Sequence, residues 1–156
     1  METISINRRA EHDYEIGKRF EAGIKLTGPE VKSVKSGGLS LTGGFVHITP
    51  AGEAYLTNVT IRPYAPARNA QTHYNQNRDR KLLLHRKEIF SLIGERSGKA
   101  GSIIPLSVYL KGGIIKIELG IGRGRKKYDK RETIKQREMQ RSIGARLRQS
   151  IGQNHE

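Results

Sequence analysis

The residues of this chain best equipped for chemistry are cations. From Arg123 to Arg148, eleven Lys or Arg stand against three Asp or Glu, a net +8 out of +14 for the 156-residue chain. Such a segment has little to bury and cannot fold compactly alone. It can lay charge along a phosphate backbone and release the counterions condensed there. A second run, Arg80-Lys81-Leu82-Leu83-Leu84-His85-Arg86-Lys87, frames three leucines with four cations. At its plainest this is a buried strand end with charged flanks. It also has the makings of an apolar ridge that stacks on unpaired bases while its flanks hold phosphates. A third run, Asn7-Arg8-Arg9 ahead of His12-Asp13-Tyr14, is either a solvated arm or a clamp on a backbone.

Catalytic constellations are missing. His12, His47, His73, His85 and His155 show no i, i+4 pairing of the kind metals use, and no Gly-x-Ser-x-Gly elbow occurs. Gly98-Lys99 is followed by Ala100 where a phosphate loop needs Ser or Thr. Gly120-Ile121-Gly122-Arg123-Gly124 lacks dinucleotide-binding spacing, and a flexible exit from a strand is the better account of it. With no cysteine, the chain has no disulfide, thiolate metal site or Cys nucleophile. The pattern points to RNA binding rather than enzymatic work, with no cofactor and no metal.

The elements that must position these residues read as short strands between glycine turns. Tyr14, Ile16, Phe20, Ala22, Ile24 and Leu26 share one parity, as in a half-buried or bent strand. Thr27 is placed to cap a short helix, with Pro29 and Glu30 in its first turn and Gly37-Gly38 ending it. Phe45–Thr49 and Glu53–Val59 form a hairpin around Pro50-Ala51-Gly52, and residues 62–79 read as a long exposed loop. Leu82–Leu84 lead into a helix over 85–95, stopped by Gly94 and Gly98. Ser102–Leu110 and Ile114–Ile121 make the clearest hairpin, turning at Gly112-Gly113, with Ile115, Ile117, Leu119 and Ile121 on one face. The fold class expected is mainly β: a small antiparallel barrel with helices over its openings, spanning residues 1–122. Residues 123–156 form a basic tail. Its stripe of Met139, Ile143, Leu147 and Ile151 is too thin to hold a helix in water, so disorder is expected when free and helix when bound. No segment is long and apolar enough to span a bilayer and no secretory signal is apparent, which suggests a cytoplasmic protein without membrane partners.

Four segments carry a family resemblance: NRRAEHDY from Asn7, FEAGIKLTGPEVKS from Phe20, RKLLLHRKEI from Arg80 and YDKRETIKQRE from Tyr128. In this order they resemble the SmpB family, the small protein B proteins of bacterial ribosome rescue, from Asn7 to about Arg148. The resemblance implies a six-stranded OB-type barrel with about three helices. Its partner would be the tRNA-like domain of transfer-messenger RNA (SsrA RNA), gripped near the D-loop and elbow where a normal anticodon stem is absent. RNA contacts are implied at Asn7, Arg8, Arg9, His12, Glu21, Arg80, Lys81, Leu83 and His85, with further backbone contacts at Lys116, Arg123, Arg125 and Lys126. Some members carry Asn where His85 stands, and both can hydrogen-bond a base edge.

By the same resemblance the tail enters the vacant mRNA channel of the ribosome and probes the decoding centre through Tyr128, Asp129, Lys130 and Arg131. Many members place a stacking His where Tyr128 stands; a phenol keeps the stacking face but cannot become cationic near neutral pH. Elongation factor Tu is implied as an indirect partner through the charged RNA. The rival classes are a general ribosome-associated RNA-binding or RNA-chaperone protein and an OB-type single-strand DNA binder. DNA is disfavoured because few exposed aromatics can be counted on.

Overall fold

The computed structural model describes residues 1–65, 73–96 and 101–124. Arg123 and Gly124, expected to open the tail, belong to the strand Ile114–Gly124; the rest of the tail, with Arg125, Lys126, Tyr128, Asp129, Lys130 and Arg131, and the middle of the 62–79 loop lie outside the described residues.

The polypeptide runs β1 (Glu2–Ile6), α1 (Arg8–Asp13), β2 (Tyr14–Ile24), α2 (Gly28–Lys35), β3 (Leu39–Ser40), β4 (Phe45–Ile48), β5 (Ala54–Thr57), β6 (Thr60–Ile61), β7 (Arg80–Leu83), α3 (Arg86–Arg96), β8 (Gly101–Lys111) and β9 (Ile114–Gly124). Strands β8, β4, β5, β7, β2 and β9 pair in that order, all antiparallel, and β9 returns to β8. The result is the expected closed six-stranded barrel, which leaves no open sheet edge among these six. Strand β8 is long enough to serve three partners. It meets β4 near Ile103, meets β1 from Ser107 to Leu110, and lies along β9 throughout. Strands β3 and β6 form a separate two-stranded ribbon.

The hairpins form where glycine punctuation puts them. Gly112 and Gly113 hold φ of 58° and 77°, the left-handed pair that a two-residue turn between twisted strands requires. Beyond that turn Ile115, Ile117, Leu119 and Ile121 all point inward, joined by Leu56, Ile61, Leu82 and Ile103 in an aliphatic core. Helix α2 is set by local chemistry. Thr27 Oγ1 accepts the Glu30 N–H at 3.3 Å while Glu30 Oε1 accepts the Thr27 N–H at 3.0 Å, a reciprocal cap. At the other end, Gly37 with φ of 83° lets the 37 and 38 N–H groups turn back to the Val34 and Ser33 carbonyls.

Three further expectations need correction. Gly94 does not stop α3, which continues to Arg96: a single glycine in a helix costs only about 1 kcal/mol, and Leu92, 0% exposed, anchors the preceding turn in the core. The segment after Asn7 is no loose arm: Arg8–Asp13 is a helical turn and a half, with Ala10 buried against Ile104 and Leu106. Gly120 and Gly122 are not a flexible exit. Both lie within β9, where a Cβ on Gly120 would sit 2.7 Å from Leu106 Cδ1 and 2.8 Å from Ile16 Cγ2. Their missing side chains make room for the small second core beneath α1.

Candidate nucleic-acid interface

Strands β2, β7 and β9 gather residues distant in sequence. Gly23 pairs with Leu83 on β7 and with Lys116 on β9, so these three stand in one row across the barrel wall. Leu83 Cβ lies 3.2 Å from where a Cβ on Gly23 would be, so the glycine lets the leucine lie close over β2. Leu83 is left 54% exposed, an unusual state for a strand leucine. Glu21 lies two residues back on the same face. Its carboxylate accepts the Tyr109 hydroxyl and lies 3.3 Å from Lys111 Nζ. The Tyr109 bond outweighs the effect of partial burial, and with Lys111 it holds the Glu21 carboxyl below its ordinary pKa. Burial and that same bond raise the Tyr109 phenol well above its ordinary value. Glu21 is therefore a fixed anion, a ready acceptor for the amino groups of a base edge.

Glu21, Gly23, Leu83 and Lys116 line an open hollow of about 1130 Å³ with Lys81, His85 and Arg86, the Thr49–Gly52 turn, and Phe90 and Ile93 of α3. Lys81 Nζ stands 3.6 Å from Glu53, whose carboxyl is held below its ordinary pKa by the Tyr55 hydroxyl and then by Lys81. Five residues expected from the sequence thus come together: Glu21, Lys81, Leu83, His85 and Lys116.

A second hollow, of about 350 Å³, opens beside α1 between Arg9, Tyr14 and Phe45. Asn7 fixes that helix in place. Its Oδ1 accepts the Ala10 N–H at 3.2 Å, and its Nδ2 donates to the Pro105 carbonyl at 2.9 Å. Arg8, Arg9 and His12 then face solvent, Arg9 with Asp13 at 3.2 Å. Arg123 is exposed nearby on β9, opposite Glu15. The two hollows sit near opposite ends of the β2–β9 ladder, which runs from Tyr14↔Gly124 to Gly23↔Lys116. At about 3.3 Å per residue they are separated by roughly 25–30 Å.

The family model described as "SmpB: SmpB protein" matches residues 4–149. The chain belongs to the SmpB family. Among its SmpB-family relatives, a protein of Latilactobacillus sakei named SsrA-binding protein is 47% identical over 93% of this chain and 91% of its own length. Another SsrA-binding protein, of Persephonella marina, is 43% identical over 97% of both chains. A solved structure reported as "tmRNA-SmpB: a journey to the center of the bacterial ribosome" superposes with a TM-score of 0.65 at 41% identity. That likeness covers 79% of this chain and 85% of the solved one.

Two residues that resemblance to the SmpB family put among the RNA contacts face inward. Arg80 is 0% exposed, with Nε and Nη2 on Glu30 Oε2 at 3.0 and 2.8 Å and Nη1 on the Val59 carbonyl at 2.7 Å. Asn7 is 5% exposed and held as described above. Both are positioning groups in this fold: Arg80 sets the start of β7, and Asn7 sets α1. Sequence reasoning missed their partners. Glu30 is 1% exposed, pinned by Arg78, Arg80 and the Tyr74 hydroxyl, the last at 2.9 Å. Burial pushes its pKa up, but the bonds from Arg78, the Thr27 N–H, Arg80 and Tyr74 prevail and hold it at about 2. A carboxylate 50 residues upstream of its arginine gives no local signal. Tyr109, 88 residues from Glu21, gives none either.

Proposed function

We propose that this chain binds the tRNA-like domain of transfer-messenger RNA and delivers it to stalled ribosomes. The observation that carries this is the convergence of Glu21, Lys81, Leu83, His85 and Lys116 in one open hollow. They combine an oriented acceptor, an exposed apolar ridge and cations, and the relatives of this chain are named SsrA-binding proteins. Together they can read an unpaired base and hold its backbone. Arg8, Arg9, His12 and Arg123 extend the contact along the ladder, while Asn7 and Arg80 act by positioning. On this proposal the chain works by binding and carries out no catalysis. Residues beyond 124, with Tyr128, Asp129, Lys130 and Arg131, probe the vacant mRNA channel and decoding centre.

A gel-shift titration against the tRNA-like domain tests the proposal, run at fixed near-physiological salt with excess bulk tRNA, because affinity without a stated salt concentration means little. Binding that survives the competitor is expected. Binding erased by it would make the chain a general basic RNA binder. A version ending at Lys127 should bind the RNA within a few-fold of the full chain and support no peptide tagging on ribosomes. Loss of both activities together would overturn the division between barrel and tail.

A further inference from the structure

Phe90 is the most open Phe among the described residues, 68% exposed on α3 at the wall of the larger hollow. Its exposure follows from how α3 is anchored. Leu92 is the buried residue of this helix, and two residues correspond to about 200° of rotation, so Phe90 falls on the side away from the core. Arg86 lies one turn before it on the same helix face and also lines the hollow. Nothing in the packing of the barrel calls for an aromatic ring at this position.

The charges around the ring favour a polyanion as its occupant. The carboxylates of the hollow are engaged within the protein: Glu21 by Tyr109 and Lys111, Glu53 by Tyr55 and Lys81, and Glu88 by the His85 N–H at 3.0 Å. Arg86 is in no ion pair among the described residues. A cation one helical turn from an exposed aromatic face matches a nucleotide, with the phosphate on the first and the base plane on the second. An uncharged apolar protein surface would leave Arg86 and Lys116 without anions to meet.

We propose that an unpaired nucleobase of the bound RNA stacks on the Phe90 ring while Arg86 holds the adjoining phosphate. This rests on the transfer-messenger RNA reading and adds a contact to that site. It is tested by exploiting the absence of tryptophan from the chain. Phe90→Trp supplies a single fluorophore at the site, and Ser36→Trp, at the exposed end of α2, which lines neither hollow, supplies one away from it.

Titration with the tRNA-like domain should quench the fluorescence of Phe90→Trp along the gel-shift isotherm and leave Ser36→Trp unquenched. Phe90→Leu, which conserves bulk but not the ring, should bind about tenfold more weakly, while Phe90→Tyr should bind like the parent. Full affinity in Phe90→Leu, or binding without quenching at position 90, overturns the stack and leaves the function standing. Sedimentation of the RNA-free proteins provides a further check. A parent dimer that Phe90→Leu dissociates without loss of RNA affinity makes the patch a self-docking surface and rules the stack out. Failure of the parent itself to bind the RNA removes the stack together with the functional reading.

Discussion

At the scale of single residues, the fold rests on one buried ion pair and presents another carboxylate for use. Glu30 appears in the sequence as a first-turn acid that favours the helix dipole and caps Thr27, and it does cap Thr27. That role was legible because the cap is three residues away. The pairing with Arg80 was not, because proximity across the barrel leaves no trace in local spacing. Replacing Glu30 with Gln keeps the shape but leaves a fully buried guanidinium without its anion, a change that costs about 3–5 kcal/mol. The urea midpoint should fall accordingly. The pH dependence has a definite sign. Glu30 titrates near 2 when folded and near 4.5 when unfolded, so its contribution is present above about 4.5 and lost as pH falls toward 2. Glu30→Gln should flatten the stability profile across that window; an unchanged slope would mean that another group titrates there. Glu21 and Leu83 pose the opposite case. Both are substantially exposed, so Glu21→Ala and Leu83→Ala should leave the melting temperature nearly unchanged and weaken RNA binding by about 1–3 kcal/mol each. Unfolding of both variants would show them to be structural.

At the scale of elements, the hairpins and α2 were readable from the sequence, whereas α1, β1 and the glycine-bearing end of β9 were not. The readable elements carry strong local signals: a capping box, a Gly-Gly turn, a run of alternating isoleucines. Strand β1 reads ETISI with no residue fully buried, and it exists because β8 offers it an edge. Helix α1 has one buried residue, Ala10, and is held by Asn7 bonding to a strand 98 positions away. Gly120 and Gly122 resemble a loop by composition, yet their function is to bring β9 close to Leu106 and Ile104. This yields a prediction about the site as well as the fold. Gly120→Val must push against Leu106 and Ile16, so overpacking should cost roughly 1–3 kcal/mol of stability. The second core also seats α1, so RNA binding should weaken through Arg8 and Arg9 even where the protein remains folded. Circular dichroism melting read beside a gel shift separates the two effects. A stable Gly120→Val with full affinity would mean that α1 does not depend on that packing.

At the scale of the whole molecule, the barrel acts as a spacer. Its β2–β9 ladder sets the two arginines of α1 near one end and the hollow that holds Leu83 and Lys116 near the other, roughly 25–30 Å apart. Sequence showed that cations were abundant but not that Arg8 and Arg9 stand at one end of the ladder and Lys81 and Lys116 at the other, because that separation is made by strand register. An RNA elbow bent over this ladder would touch both places at once, whereas a short single strand would fill only one. The two cases give different mutational arithmetic. Arg8→Ala removes a cation at α1 and Lys116→Ala removes one at the hollow, and no described contact links the two. If one RNA bridges both sites, the free-energy losses should add in the double variant. The slope of log affinity against log salt should then fall by about 1 for each phosphate contact removed, hence by about 2 in the double variant. If the sites are alternatives, each single variant leaves the other site to carry the RNA, so the losses will be small singly and large only together. Gel-shift titrations of the four proteins at three salt concentrations distinguish the cases. Additivity with a halved slope change, about 1 in place of 2, would assign one of the two residues to a base or a sugar hydroxyl. Lys116, level with Gly23 and Leu83 in the reading hollow, is the candidate for that role, because Arg8 stands on an exposed helix where a backbone passes more readily than a base edge.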